Sequence, residues 1–186
     1  MLRRLIMPLL AAMTLLTGCH FALPFWTALE LKRAIRNGDT ATVETRVEWD
    51  SVRASLRQSL AEQAPQEARR RFSRIPFIQK YAERLAINYS RPVVDKMVES
   101  FGTADGLVRF YSWRETLSTG PRPPRTLSGI ATEMSKRVKR VSFASLTRLE
   151  VVMADRTDPN RHIFSAMELR NTGWKLTEVR ILPKVE

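Results

Sequence analysis

Chemistry needs particular side chains within reach of one another, and this chain of 186 residues offers few. It has one cysteine, Cys19, and two histidines, His20 and His162. A nucleophile must be activated by a neighbouring base. His162 opens an alternating apolar segment directly after a turn, without a serine or cysteine beside it, and reads as a strand-end histidine. Glu48 and Asp50 flank Trp49. Two carboxylates so placed are the beginning of an acid–base pair, but Asp50 has a competing use as a helix cap. Asp155, Asp158 and Asn160 hint at a calcium loop. Arg156 intrudes there and no closing glutamate follows, so they read as turn residues. One cysteine excludes an intramolecular disulfide and a CxxC motif, and two histidines exclude a histidine-rich metal site. Glycine-rich phosphate loops, GxGxxG and HExxH are absent from the sequence. No catalytic residue, metal ligand or cofactor is expected.

Cys19 has a different chemistry available. Arg3 and Arg4 form a basic start, and the 12 residues from Leu5 to Leu16, "LIMPLLAAMTLL", are uncharged and apolar. That length suits the apolar region of a secretory signal, with small residues Thr17 and Gly18 at its end. Leu16-Thr17-Gly18-Cys19 resembles the lipobox of bacterial lipoprotein signals. The resemblance implies removal of residues 1–18, acylation of the Cys19 sulfur and amino terminus with palmitate-type chains, and a domain facing the periplasm. The absence of aspartate after the cysteine favours outer-membrane sorting by the same resemblance. A rival remains. No charge occurs from Leu5 to Leu29, 25 positions, enough for an uncleaved single-pass helix in the inner membrane with Phe25 and Trp26 in its aromatic belt. Under either reading the basic start stays on the cytoplasmic side and the rest faces outward. A third use, a small buried thiol in the core, fits the flanks less well.

Behind that segment, helices are expected. Phe25, Ala28, Leu29, Leu31 and Ile35 recur at helical spacing, with Glu30, Lys32, Arg33 and Arg36 on the other side. Asn37-Gly38 stops this helix with a left-handed glycine, and Asp39 caps the next. Asp50 repeats the cap before a helix marked by Val52, Leu56 and Leu60, ending before Pro65. Further helices follow from Pro76, through "SRPVVDKMVESFG" with Val93, Val94, Met97, Val98 and Phe101 inward, and from a capping Thr103. The opening "LPFWTALELKRAIRNGD" and "VEWDSVRASLRQSL" resemble an uncharacterised bacterial family, domain of unknown function 2939. The likeness rests on Phe25, Trp26, Gly38, Asp39, Val47, Glu48, Trp49, Val52, Arg53, Ser55 and Leu56. It continues more loosely through "RPVVDKMVESFGTADGLVRF" and the C-terminal "GWKLTEVRIL". The resemblance implies an exported or membrane-anchored protein and carries no activity and no functional residues.

Residues 114–128 are rich in proline, serine and threonine and read as a long loop. The period then changes. Segments 145–154, 162–170 and 174–182 alternate in polarity, with a tight hairpin at Asn171-Thr172-Gly173. Three antiparallel strands need a cover, and the preceding helices supply it. The expected fold is α+β: N-terminal helices packed on a C-terminal antiparallel sheet of three or more strands, similar to the cone-shaped cystatin and nuclear transport factor 2 folds. The expected organisation is a signal peptide over 1–18 and one domain over 19–186, with a helical part 24–113, a loop 114–128 and a sheet part 141–183.

Charge narrows the partners. The chain carries 31 Lys and Arg against 19 Asp and Glu, a net charge of +12. Part of it collects over residues 114–140, where Arg122, Arg125, Lys136, Arg137, Lys139 and Arg140 are candidate contacts for anionic lipids or envelope polymers. The same charges also suit a solvated connector that guards a sheet edge. The export signal argues against nucleic acid. The expected function is a non-catalytic binding or accessory domain of the cell envelope, with its protein partner unspecified. The alternative is a small-ligand carrier or enzyme with a pocket between helices and sheet, lined by Trp49, Trp113 or Trp174.

Overall fold

The computed structural model describes residues 2–72, 92, 94–117, 126–155 and 161–182, with side chains at 18, 20–63, 92, 94–113, 126–155 and 161–182. The described elements run α1 (Leu2–Asn37), α2 (Thr40–Arg46), α3 (Trp49–Phe72), α4 (around residues 94–101), α5 (Ala104–Leu117), α6 (Leu127–Arg137), then β1 (Val138–Ser145), β2 (Arg148–Ala154), β3 (His162–Arg170) and β4 (Gly173–Leu182). The strands form an antiparallel meander in the order β1-β2-β3-β4. The fold is α+β as expected, with four strands. The additional strand begins three residues before the expected sheet part, because Lys139 and Arg140 sit inside β1, beside a register shift between Val138 and Arg140. A bulge breaks simple alternation, so the charged pair there does not read as strand.

Local signals fix the turns. Gly38 has φ 76°, the left-handed conformation that ends α1. Asp39 then caps α2, its Oδ1 accepting from the Thr42 backbone N–H at 3.0 Å and its Oδ2 from the Thr42 hydroxyl at 2.6 Å. These bonds, from the Thr42 hydroxyl first and its N–H second, hold the Asp39 carboxyl below its ordinary pKa. Thr103 caps α5, its Oγ1 accepting from Gly106 N–H at 3.1 Å. Gly173, with φ 108°, closes the β3–β4 hairpin.

Two apolar clusters fill the interior. One joins Leu31, Ala34, Val43, Val47, Val52 and Ala104 between α1, α2, α3 and α5. The other joins Leu149, Met167 and Trp174 on the sheet, with Ala28 of α1 and Phe143 of β1 against it. Leu176 touches both, so one β4 residue couples helices to sheet. Each of the valine, leucine and methionine side chains among them contributes about 1.5–3 kcal/mol on full burial.

The β4 edge is closed by α3 instead of by a fifth strand. Val47 makes a parallel bridge to Leu176, and Glu48 N–H donates to Leu176 O at 2.9 Å. Two turns on, Ser55 Oγ accepts from Val179 N–H at 3.1 Å, and after one more turn Ser59 Oγ accepts from Ile181 N–H at 2.8 Å. Gln63 Nε2 and Ser59 Oγ both donate to Ile181 O. Positions 55, 59 and 63 follow the i, i+4 spacing of one helix face, and they meet alternate residues of the strand. Unpaired strand edges invite foreign strands, and this helix removes that exposure.

Several expectations need correction. Asp50 lies inside the first turn of α3 and pairs with Arg53; Glu48 precedes the helix, its carbonyl accepting from Val52 N–H. The helix extends past Pro65 to Phe72, although a proline inside a helix ordinarily removes one hydrogen bond and crowds the preceding turn; its bonds to β4 hold it as far as Gln63. Arg36 is not on a solvent face: it is 6% exposed, buried against α5 and α6, while Phe25 is 41% exposed. Met97 and Phe101 are exposed, and among the described residues of that helix only Val98 is buried. The expected helix from Pro76 and the inward Val93 lie outside the described residues.

Candidate functional site

Cys19 lies within α1, and its side chain is outside the described residues. The residue after it already belongs to the packed domain. His20 Nε2 lies 2.7 Å from Leu146 O in the β1–β2 turn, and its ring centroid is 6.0 Å from that of Trp174. Phe21 meets Phe143 edge-on at 4.8 Å. Pro24 is fully buried, and Thr27 Oγ1 donates to Leu23 O at 3.0 Å beside it. The sequence between Cys19 and the sheet therefore contains no linker. A group attached at residue 19 is held within one residue of the end of the sheet where the β1–β2 and β3–β4 turns meet, the turns being joined by Leu169 N–H donating to Thr147 O. Among the described residues, no helix is long and apolar enough to cross a membrane.

The opposite end is polar. Arg36 donates to Glu133 and to the Tyr111 hydroxyl, and its guanidinium lies over the Tyr111 ring. Lys32 and Arg137 also pair with Glu133. Burial works against the Arg36 charge, but the hydrogen bonds to Glu133 and Tyr111 outweigh it and raise its pKa. Arg137 further donates to Ala154 O through Nε at 3.0 Å and Nη2 at 2.9 Å. So Arg137, expected on a cationic surface, is a tie between α6 and β2. Lys136, Lys139 and Arg140 are exposed, and Arg122 and Arg125 lie outside the described residues. Lys139 stands seven positions before Leu146, about 20 Å along the strand. That exceeds the screening length of about 8 Å at physiological salt, so these cations lie at the end away from Cys19, electrostatically separate from it.

The outer sheet face carries a third cluster. Arg148 bonds Glu150, Glu168 and Glu178 on three strands, while Arg170 adds to Glu168 and Arg180 to Glu178. The Glu178 hydrogen bond leads the causes that raise the Arg148 pKa, against a desolvation cost. The arginines tie the three carboxylates together across β2, β3 and β4, so the cluster is a cross-strand brace; Lys175, opposite Glu168, and Arg140, opposite Val152, stand on the same face.

The remaining candidates scatter. Trp174 is 2% exposed in the sheet cluster, Trp49 packs on the helical cluster, and Trp113 is 60% exposed on α5. The three indoles do not line one pocket. Glu48 serves the β4 edge through its backbone and Asp50 pairs with Arg53. Asp155 is buried and bound by Arg161 Nε at 3.0 Å and Nη2 at 2.6 Å, closing the β2–β3 connection; Asp158 and Asn160 lie outside the described residues. His162 is half-buried at the start of β3, opposite Ala154 and Leu182. Among the described residues, no three His, Cys, Asp or Glu side chains are grouped so as to hold a metal ion.

Comparison with known families adds one match: residues 13–110, more than half of the chain, fit "Protein of unknown function (DUF2939)". The chain belongs to this family. No curated protein and no solved structure matches it. The DUF2939 match begins inside the apolar run before Cys19 and ends in α5. It takes in the anchor-like segment, the Gly38-Asp39 turn and the Ser55-Ser59 face of α3. The meander lies beyond the matched residues, including "GWKLTEVRIL". The residues missed by sequence reasoning are Ser55, Ser59 and Arg36. Ser55 and Ser59 are polar residues beside Val52 on one face of α3, and Arg36 stands among charged residues of α1; polarity ordinarily points to solvent.

Proposed function

We propose that this DUF2939 chain is a membrane-anchored domain of the cell envelope, held by acyl chains on Cys19 and facing the periplasm, with a non-catalytic binding or accessory role. The observation that carries the reading is the coincidence of two boundaries. The lipobox-like Leu16-Thr17-Gly18-Cys19 ends where His20 and Phe21 begin to pack on the sheet. Cleavage before Cys19 leaves every one of those contacts in place. Anionic envelope polymers are the partner class that suits Lys136, Lys139 and Arg140 at the far end, since fixed cations there are free of the anchoring surface.

A second reading has its own support: α1 is continuous from Leu2 through Cys19 to Asn37, as an uncleaved single-pass helix would be. Mass spectrometry of the membrane-extracted protein separates the two. An acylated peptide starting at Cys19 supports the lipoprotein, and a peptide retaining Met1 with a free Cys19 thiol supports the uncleaved helix. A chain recovered in the soluble fraction with neither overturns both.

A further inference from the structure

The sheet has two edges, and they are finished differently. At β4 none of the ten residues is exposed, and Ser55, Ser59 and Gln63 of α3 take up outward backbone groups. At β1 five of the eight residues are exposed, Lys139, Arg140, Val141, Ala144 and Ser145. Every second residue of an antiparallel edge strand turns its N–H and C=O away from its neighbour. Among the described residues, no hydrogen bond beyond the β1–β2 ladder reaches positions 139–144. Lysine and bulges ordinarily blunt such an edge. Here Lys139 and the register shifts at Val138/Arg140 and Phe143/Ser145 stand at its two ends. Between them, Arg140 to Phe143 pair in unbroken register with Val152 to Leu149, with no proline and a single charge. Strands run upward from about three residues, so this stretch suffices for a short added strand.

We propose that the β1 edge from Arg140 to Phe143 receives an extended segment of a partner protein as an added strand, with acidic and apolar residues alternating along that segment. The proposal rests on the binding role given above to the cationic end, and it names a polypeptide as the partner. In strand addition, main-chain bonds give attachment and alternate side chains give selection. Val141 and Phe143 stand opposite Val151 and Leu149 on the face that packs on the helices, and Val141 is 40% exposed. Arg140 and Ser142 stand opposite Val152 and Glu150 on the other face. A strand laid alongside continues both faces, so one set of its residues meets Val141 and the other meets Arg140. Charge selects the occupant. From Met134 to Leu149 the chain has five basic residues and no acidic one. Arg137 is committed to Glu133 and Ala154 O, but Lys136, Lys139 and Arg140 are exposed, and among the described residues no ion pair ties them. A second β1 would set this cationic run against itself, whereas an acidic segment neutralises it.

The test uses the full-length protein in detergent micelles and a fluorescent synthetic peptide, Glu-Val-Glu-Val-Glu. Two further peptides carry N-methyl groups, one on its glutamates and one on its valines, which leaves the charge intact but blocks one set of backbone donors each. The expected result is binding of the unmethylated peptide with slowed amide exchange within residues 140–143. One methylated peptide should bind about two- to tenfold more weakly for each hydrogen bond removed, and the other should bind almost unchanged, since only one set of donors faces β1. Arg140→Glu, at an exposed position and checked by circular dichroism, should lose the peptide and gain Lys-Val-Lys-Val-Lys. If both methylated peptides bind as tightly as the unmethylated one, charge alone acts and the strand is wrong while the binding role stands. If the peptide fails to bind but dextran sulfate binds and Arg140→Glu abolishes it, the partner is a polymer and the proposal is overturned. Binding of neither removes the strand and the binding role together. A dimer by sedimentation without peptide, with residues 140–143 already protected, gives the edge to a second copy and also overturns the proposal.

Discussion

Ser59 and Ser55 stand where a neighbouring strand would be, and removing their hydroxyls isolates one strand donor each. In Ser59→Ala the Ile181 N–H loses its acceptor at 2.8 Å, while Ile181 O keeps Gln63. The variant therefore creates one unsatisfied donor next to a side chain that is 2% exposed. An unsatisfied buried polar group costs about 1–3 kcal/mol, and the retained Gln63 bond places Ser59→Ala in the lower half, about 1–2 kcal/mol. Ser55→Ala does the same to Val179 N–H at 3.1 Å, with a similar cost. The two donors are on separate residues, so the double variant loses about 2–4 kcal/mol, a large part of the roughly 5–15 kcal/mol typical of a domain. Urea unfolding reads this as a lower midpoint at unchanged slope. Hydrogen exchange should locate it, with the Val179 and Ile181 amides losing protection first. Ser51→Ala, on an exposed position of the same helix, is the control and stays within about 0.5 kcal/mol. If Ser59→Ala moves the midpoint no more than Ser51→Ala, the helix does not act as the missing strand and the reasoning fails.

Other consequences follow from single residues. Glu133→Gln withdraws the carboxylate on which Arg36, Lys32 and Arg137 converge; with Arg36 buried, the loss should be about 3 kcal/mol, and Arg36→Met should cost less, by thermal or urea unfolding. Asp39 has a folded pKa below its ordinary value of about 3.8. Its contribution is therefore complete above the unfolded pKa and fades as pH falls through the folded one. Asp39→Asn keeps a capping oxygen and should flatten the part of the stability–pH curve that falls as pH drops below the ordinary aspartate pKa; an unchanged slope contradicts the cap's ionic character. Gly173→Ala forces a side chain into φ 108° and should destabilise the hairpin by about 1–2 kcal/mol, visible in melting temperature.

Short-range instructions were legible. Gly38 and Asp39 act within four residues of each other, and the 171–173 turn needs only its own glycine, so spacing alone predicts them. Long-range partners were not. Arg36 reads as a solvent-facing cation because Glu133, which makes its burial tolerable, is 97 residues away. Ser55 and Ser59 read as the polar side of an amphipathic helix, since the β4 groups they satisfy lie 124 and 122 residues on. Hydrophobic periodicity cannot distinguish a polar residue that meets water from one that meets a strand edge. Of the site, Cys19 and its flanks read as an attachment signal in the sequence, and the structure adds that the next residues, His20 and Phe21, pack on the sheet. The exposure of Leu23, Phe25 and Trp26 beside Leu146 was not legible, because Leu146 comes near α1 only through the folded β1–β2 turn.

The central claim is that the chain is held to a membrane through Cys19. Intact-mass and peptide analysis of the protein extracted from its own membranes, alongside Cys19→Ser, tests it directly. The account predicts a mature chain beginning at an acylated Cys19, and a Cys19→Ser chain that keeps residues 1–18 and carries no acyl mass. A mature protein that retains Met1 with an unmodified Cys19 thiol, and is unchanged in mass by the substitution apart from the exchanged atom, contradicts it.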